Sequence, residues 1–166
     1  GGVRAVNKVS ISLHDGELVG LIGPNGAGKT TVFNLITNAI RPTAGQILLR
    51  GKSILGKSPD KICRLGISRT FQNIRLFPQM TAYENVELGL HSSPKYPLAE
   101  ALIRLPHANR IEKQTSKRAL ELLEIVNLKE HANERAASLP YGLQRRLEIA
   151  RAMATSPQLL LLDEPA

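Results

Sequence analysis

The 166-residue chain is 42% hydrophobic and 22% charged, the balance of a globular protein with one domain or one core plus a small satellite. No apolar stretch is long enough to cross a membrane and no signal peptide opens the chain, so a cytosolic location is expected; the single cysteine, Cys63, excludes an internal disulfide and reads as packing in a short helix. The net charge of +8 admits nucleic acid or an anionic membrane surface, but it is spread along the chain and aromatics are only 4%, which argues against a stacking platform for single strands.

Residues 9–13 alternate Val9, Ile11, Leu13 against Ser10 and Ser12, the period of a strand buried on one face. A turn is expected over 14–17, then a short apolar strand over 18–22 that suits a buried parallel sheet. Residues 31–39 read as a helix with Val32, Leu35, Ile36 and Ala39 on one face, broken at Pro42. Residues 46–50 read as a strand. Ser58-Pro59 starts a helix that Gly66 closes, and 67–71 read as a further strand. From 73 to 138 no strong strand pattern occurs. Thr81 and Glu84 form a capping box that opens a helix to about Leu90. A loop over 91–97, a short helix over 98–105 ended by Pro106, and a longer helix over 110–126 with Ala119, Leu122, Leu123 and Val126 on one face follow. After LPYGLQ comes a periodic helix with Leu147, Ala150 and Ala154 aligned, then an apolar strand over 158–162.

The stretch GPNGAGKTT over 23–31 fits G-x-x-x-x-G-K-[ST], between a strand and a helix. Gly23, Gly26 and Gly28 permit positive φ, so that backbone N–H groups turn inward on phosphate oxygens. Lys29 reaches the β and γ phosphates, Thr30 offers a hydroxyl to Mg²⁺, and the helix start adds its positive end. Asp163 and Glu164 follow the last strand, where open α/β sheets bind ligands. The aspartate suits Mg²⁺, usually through water, and the glutamate suits activation of the attacking water. Gln72 is a neutral amide able to sense either.

GPNGAGKTT, RTFQN around Gln72, LPYGLQRRLEIARAM and LLLLDEPA follow in the order and spacing of an ATP-binding-cassette ATPase, which the whole chain resembles. Residues 66–85 and YGLQRRLEIAR resemble the ATP-binding subunits of bacterial branched-chain amino-acid importers; importers of urea, amides or other polar solutes share this wording. The resemblance implies an α/β P-loop NTPase (RecA-like) core with an inserted helical subdomain and an antiparallel β part at the N-terminus, incomplete. The core would be residues 1–74 and 156–166, and the helical subdomain 75–155. It implies that Gly23, Asn25, Gly26, Ala27, Gly28, Lys29, Thr30 and Thr31 hold ATP. Thr30, Gln72 and Asp163 would serve Mg²⁺, and Glu164 and Gln72 catalysis. Residues 139–143, with Tyr141 and Gly142, stand at the signature motif, which caps the γ-phosphate bound to a second, head-to-tail ATP-binding subunit. Transmembrane permease subunits and, indirectly, a periplasmic solute-binding protein are the other implied partners, and nucleic acid is not one. The subunit would lie peripherally at the inner face of the plasma membrane.

Two positions depart from the family's signature. Pro140 stands where serine is usual and offers neither hydroxyl nor N–H, and Leu143 stands where a polar side chain is usual. Weaker ATP-driven dimerisation is expected. The adenine-stacking aromatic would fall just before Gly1; the D-loop, a further strand and the switch histidine would fall after Ala166. The chain therefore resembles a fragment, with little or no ATP turnover expected by itself. A nucleotide-binding module without catalysis is the alternative.

Overall fold

A computed structural model of the chain describes residues 5–70, 72–91 and 108–163, with side chains in the last stretch from residue 112 onward. Two compact units divide at Pro59 and Asp60. Among the described residues no helix is long and apolar enough to cross a membrane. The strand end at Phe71, most of the loop expected over 91–97, and the helix over 98–105 with its Pro106 stop lie outside the described residues.

In the first unit the turn over 14–17 forms, closed by the Glu17 N–H on the His14 carbonyl at 3.1 Å and the His14 N–H on Glu17 Oε2 at 2.8 Å. The strands expected over 9–13 and 18–22 do not form. Their apolar side chains stay in solvent; Leu18 and Ile22 are 97% and 98% exposed. A strand of a parallel sheet holds its shape through neighbours and cover on both faces, and local alternation supplies neither. Helix α1 spans Lys29–Ile36. It stops short of residue 39 because Asn38 turns left-handed at φ 54 and the Ala39 N–H returns to the Asn34 carbonyl at 2.9 Å, ahead of Pro42. Strand β1 covers only Leu48–Leu49 and pairs antiparallel with β2, Lys52–Ser53, which the sequence pattern missed. The turn between them puts Arg50 at φ 49 and Gly51 at φ 74, the two positive angles of a type I′ hairpin. An arginine at the first of these positions hides the signal that Asn-Gly would give.

Helix α2 (Pro59–Arg64) opens the second unit, its first residue being the last of the first unit, and ends at Gly66, whose φ of 89 lets its N–H bond the Cys63 carbonyl at 2.8 Å. Strand β3 (Ile67–Arg69) pairs in parallel with β4 (Leu159–Leu161), with Ile67 opposite Leu159 and Arg69 opposite Leu161. Between them in sequence stand α3 (Ala82–His91), α4 (Ala108–Ile125) and α5 (Tyr141–Ala154). The capping box forms as expected: the Thr81 N–H donates to Glu84 Oε2 at 2.7 Å and the Glu84 N–H to Thr81 Oγ1 at 3.1 Å. Two single turns of 3₁₀ helix, Lys129–His131 and Ala136–Ser138, link α4 to α5; neither has a periodic signature.

The core lies among these three helices. Val86 and Leu90 of α3 meet Ala119, Leu122 and Leu123 of α4 and Leu147, Ala150 and Ala154 of α5, all essentially inaccessible. The faces read from helical period are thus the buried ones, with Val126 partly buried at the margin. Helix α3 packs tightly against α5 at Gly89. A Cβ there would stand 2.7 Å from the Arg151 carbonyl oxygen and 2.9 Å from Ala154 Cβ. Gly89→Ala should therefore lose stability although alanine favours helix. Overpacking costs up to about 3 kcal/mol and propensity returns about 1, so urea unfolding should show a net loss of roughly 2 kcal/mol.

Candidate nucleotide-binding site

The phosphate loop leads directly into α1. Gly28 is the N-cap of that helix at φ 88, and Gly26 also takes a positive φ, 83. A Cβ on Gly28 would lie 2.5 Å from the Ala5 carbonyl oxygen, so both conformation and space restrict this position to glycine. Gly23 does not share the positive angle expected of all three glycines. Its requirement is spatial instead, because a Cβ there would meet Ala27 Cβ at 3.0 Å. The Lys29 ammonium bends back across its own loop and donates to the carbonyls of Gly23 and Pro24 at 2.6 and 2.9 Å. Asn25, Gly26, Ala27 and Thr30 are exposed, and Thr31 is half-buried one residue further into α1. A cleft of about 190 Å³ adjoins the loop, lined by Val6, Asn7, Val9, Ile22, Lys29 and Val32 among others.

Asp163 lies in the second unit, just beyond β4, and is buried. Its carboxylate accepts a bond from Arg69 Nη2 at 2.7 Å, and its N–H donates to Thr70 Oγ1 at 3.1 Å. The β3–β4 register brings these groups together, extended by the Thr70 N–H on the Leu161 carbonyl at 3.0 Å. Glu164 lies outside the described residues. Gln72 is exposed, and its backbone carbonyl is taken by Arg145 of α5.

The signature segment opens α5. Pro140 is the N-cap and its carbonyl accepts the N–H groups of Leu143 and Gln144 at 2.9 and 3.0 Å, with no side-chain cap. Tyr141 and Gly142 are exposed at the positive end of this helix, where an anion is favoured, and space is open around Gly142. Leu143 packs against the helical core, which accounts for an apolar residue at this position.

Helical period revealed the apolar face of α5 but not the charged network beside it. Arg145 and Glu148 are both buried and bonded at 3.4 Å. Arg145 Nε also donates to Tyr141 Oη at 3.1 Å, and its guanidinium lies 5.3 Å from that ring's centre. Glu148 Oε1 accepts the Arg75 N–H at 3.3 Å. The structure thereby joins the segment after β3, including Gln72, to the start of α5. Burial lowers the pKa of Arg151, with Glu148 opposing the shift, and its guanidinium lies over the Phe77 ring at 5.7 Å. Arg145 and Glu148, at i and i+3, stand among Gln144, Arg146 and Arg151 in the sequence, so nothing local marks them as the buried pair.

The loop of the first unit fits a nucleotide phosphate, and each unit separately carries an oxygen donor of a kind that magnesium accepts. Among the described residues no cluster of three His, Cys, Asp or Glu could cage a metal by itself. Mg²⁺ is ordinarily held by one or two carboxylates and hydroxyls plus substrate phosphates, and Thr30 and Asp163 are such oxygen donors. The glycine-restricted loop and Lys29 match a phosphate.

The chain is 49% identical over 166 residues to the high-affinity branched-chain amino acid transport ATP-binding protein LivG of Escherichia coli, and spans 65% of that protein's length. It is 49% identical to BraF, the corresponding protein of Pseudomonas aeruginosa, again over 65% of its length. Among solved structures, the ADP conformation of MJ1267, an ATP-binding cassette of an ABC transporter, superposes with a TM-score of 0.75 at 32% identity, covering 97% of this chain and 63% of that one. The dimeric post-hydrolysis state of the cassette MJ0796 bound to ADP and Pi gives a TM-score of 0.73 at 32% identity, over 94% of this chain and 64% of that one. The fold is that of a P-loop NTPase, mixed α and β. The ABC transporter family matches residues 6–166, nearly the whole chain, and to that family the chain belongs.

Proposed function

We infer that the chain is the nucleotide-binding part of an ABC importer ATPase serving branched-chain amino acids. The observation that carries this is the phosphate loop: glycines with positive φ at 26 and 28, one of them capping α1, with the Lys29 ammonium across the loop. The identity to LivG and BraF supports the solute class.

In this reading the backbone of Gly23 and of residues 25–28 receives the β and γ phosphates. Lys29 leaves its carbonyl partners to pair with them, and Thr31 adds to their hold. Thr30, Asp163 and Gln72 serve Mg²⁺, which supplies neutralisation of charge on the phosphate oxygens. Glu164 takes the proton of the attacking water, and the amide of Gln72 orients that water. Tyr141 and Gly142 present the start of α5 to the γ-phosphate held by a second, head-to-tail subunit. The helical segment 75–155 forms the subdomain that meets a permease at the inner face of the membrane, while residues 1–74 and 156–166 belong to the nucleotide core. A solute-binding protein acts through the permease.

A second reading is nucleotide binding without turnover. It is favoured by Pro140, which leaves the start of α5 with no side-chain cap and no N–H of its own. Calorimetric titration of the chain with Mg-ATP tests the shared part of both readings. Lys29→Ala should weaken binding about 30-fold, close to 2 kcal/mol. Equal affinity in the variant would count against the phosphate loop as the site. Phosphate release at saturating Mg-ATP then separates an ATPase from a binding module.

A further inference from the structure

The carboxylate assigned above to Mg²⁺ is not an open ligand in this structure. Arg69 Nη2 stands 2.7 Å from Asp163 Oδ2, and the two side chains are only 7% and 9% exposed. The parallel pairing of β3 and β4 builds this contact, with Arg69 opposite Leu161 and Thr70 fixing the Asp163 N–H. A buried ion pair of this kind is a poor source of stability, since an apolar pair of like volume does as well or better. Its place beside the carboxylate expected to receive a dication is what calls for an account.

We propose that Arg69 is a positioning residue that sets the Mg²⁺ dependence of nucleotide binding. It balances the Asp163 charge and orients the carboxylate before the metal arrives. A guanidinium and a dication then compete for the same oxygens. The positive charge on Arg69 raises the Mg²⁺ concentration at which Asp163 engages, so the carboxylate responds to metal delivered with nucleotide more than to stray cations. This rests on the reading that Asp163 serves Mg²⁺.

The test is a Mg²⁺ titration of ATP binding to this chain, followed by calorimetry at fixed ATP. Arg69→Met, Arg69→Gln and Asp163→Asn are compared with the unsubstituted protein, and circular dichroism checks the fold. In Arg69→Met the half-saturating Mg²⁺ should fall roughly tenfold, with ATP affinity in chelator unchanged. Arg69→Gln, neutral but still polar, carries the same expectation and decides the matter if the methionine variant fails to fold. Asp163→Asn should raise the Mg²⁺ requirement. If Asp163→Asn does so while the Arg69 variants need as much Mg²⁺ as before, the proposal is overturned and the reading of Asp163 stands. If Asp163→Asn changes nothing, or the unsubstituted chain shows no Mg²⁺-dependent binding, the reading itself fails and the proposal with it.

Discussion

Truncating Glu148 to alanine should cost about 3–5 kcal/mol of unfolding free energy, the range for a buried ion pair that loses one member. The loss comes from what remains. Arg145 keeps its burial but not its carboxylate, and the Arg75 N–H loses its acceptor. Tyr141 Oη and the Gln72 carbonyl still hold the guanidinium, which places the expected value near the lower end. The double substitution Arg145→Met with Glu148→Leu decides between charge and packing. Replacing both members by apolar groups removes the stranded charge, so most of the lost stability should return, and the cycle gives the coupling directly. Chemical denaturation of the four proteins measures it. A single-variant loss below about 1 kcal/mol would place the pair in the class of solvated surface bridges.

Asn85→Ala should cost roughly 3 kcal/mol by the same measurement. Asn85 is fully buried on the core face of α3, yet its side chain bonds only backbone. Its Oδ1 accepts the Phe77 N–H at 2.9 Å, and its Nδ2 donates to the carbonyls of Phe77, Met80 and Thr81 at 3.1, 3.4 and 2.9 Å. The amide therefore reinforces a segment held otherwise by one turn and the single Thr81–Arg135 bridge, and it supplies the acceptor for the Phe77 N–H. The three carbonyls keep backbone donors in Met80, Ala136 and Asn85, so their lost bonds cost about 1 kcal/mol each or less, while the Phe77 N–H loses its acceptor at about 1–3. Asn85→Asp tests this accounting. It keeps the acceptor for Phe77 and loses the donor, while setting a carboxylate against three carbonyls, so it should be no better than alanine. Wild-type stability in either variant would mean that water replaces the amide freely.

The two variants mark the limit of what the sequence reveals. Period and caps are local, and they located the buried faces of α4 and α5 and both ends of the capping box. The phosphate loop was legible for the same reason, since spacing alone carries its chemistry. Asn85 and Arg145 were not, because Asn85 bonds backbone groups and Arg145, besides Tyr141 and Glu148 of its own helix, bonds the Gln72 carbonyl, all in segments with no regular signature. The strands expected over 9–13 and 18–22 failed in the other direction: alternation is a local pattern, but a strand is defined by its neighbour. Gly23 shows a finer miss, where the residue type was read correctly and its reason was not. Leu143, read only as an apolar residue where a polar one is usual, also packs against the helical core, a role its position in the sequence did not reveal.

The pairing of β3 with β4 also bears on how the chain reaches this structure. Arg69 and Asp163 are 94 residues apart in sequence, with the whole helical segment between them. Joining two such short strands from an open coil means closing that entire loop for a handful of bonds, and non-local pairing of this kind is slow. Packing α3, α4 and α5 first shortens the gap, because α3 follows β3 closely and α5 runs almost directly into β4. Packed helices therefore lower the loop-closure cost of pairing β3 with β4. Variants that loosen the helices should accordingly slow the step in which Asp163 meets Arg69, as stopped-flow refolding would read.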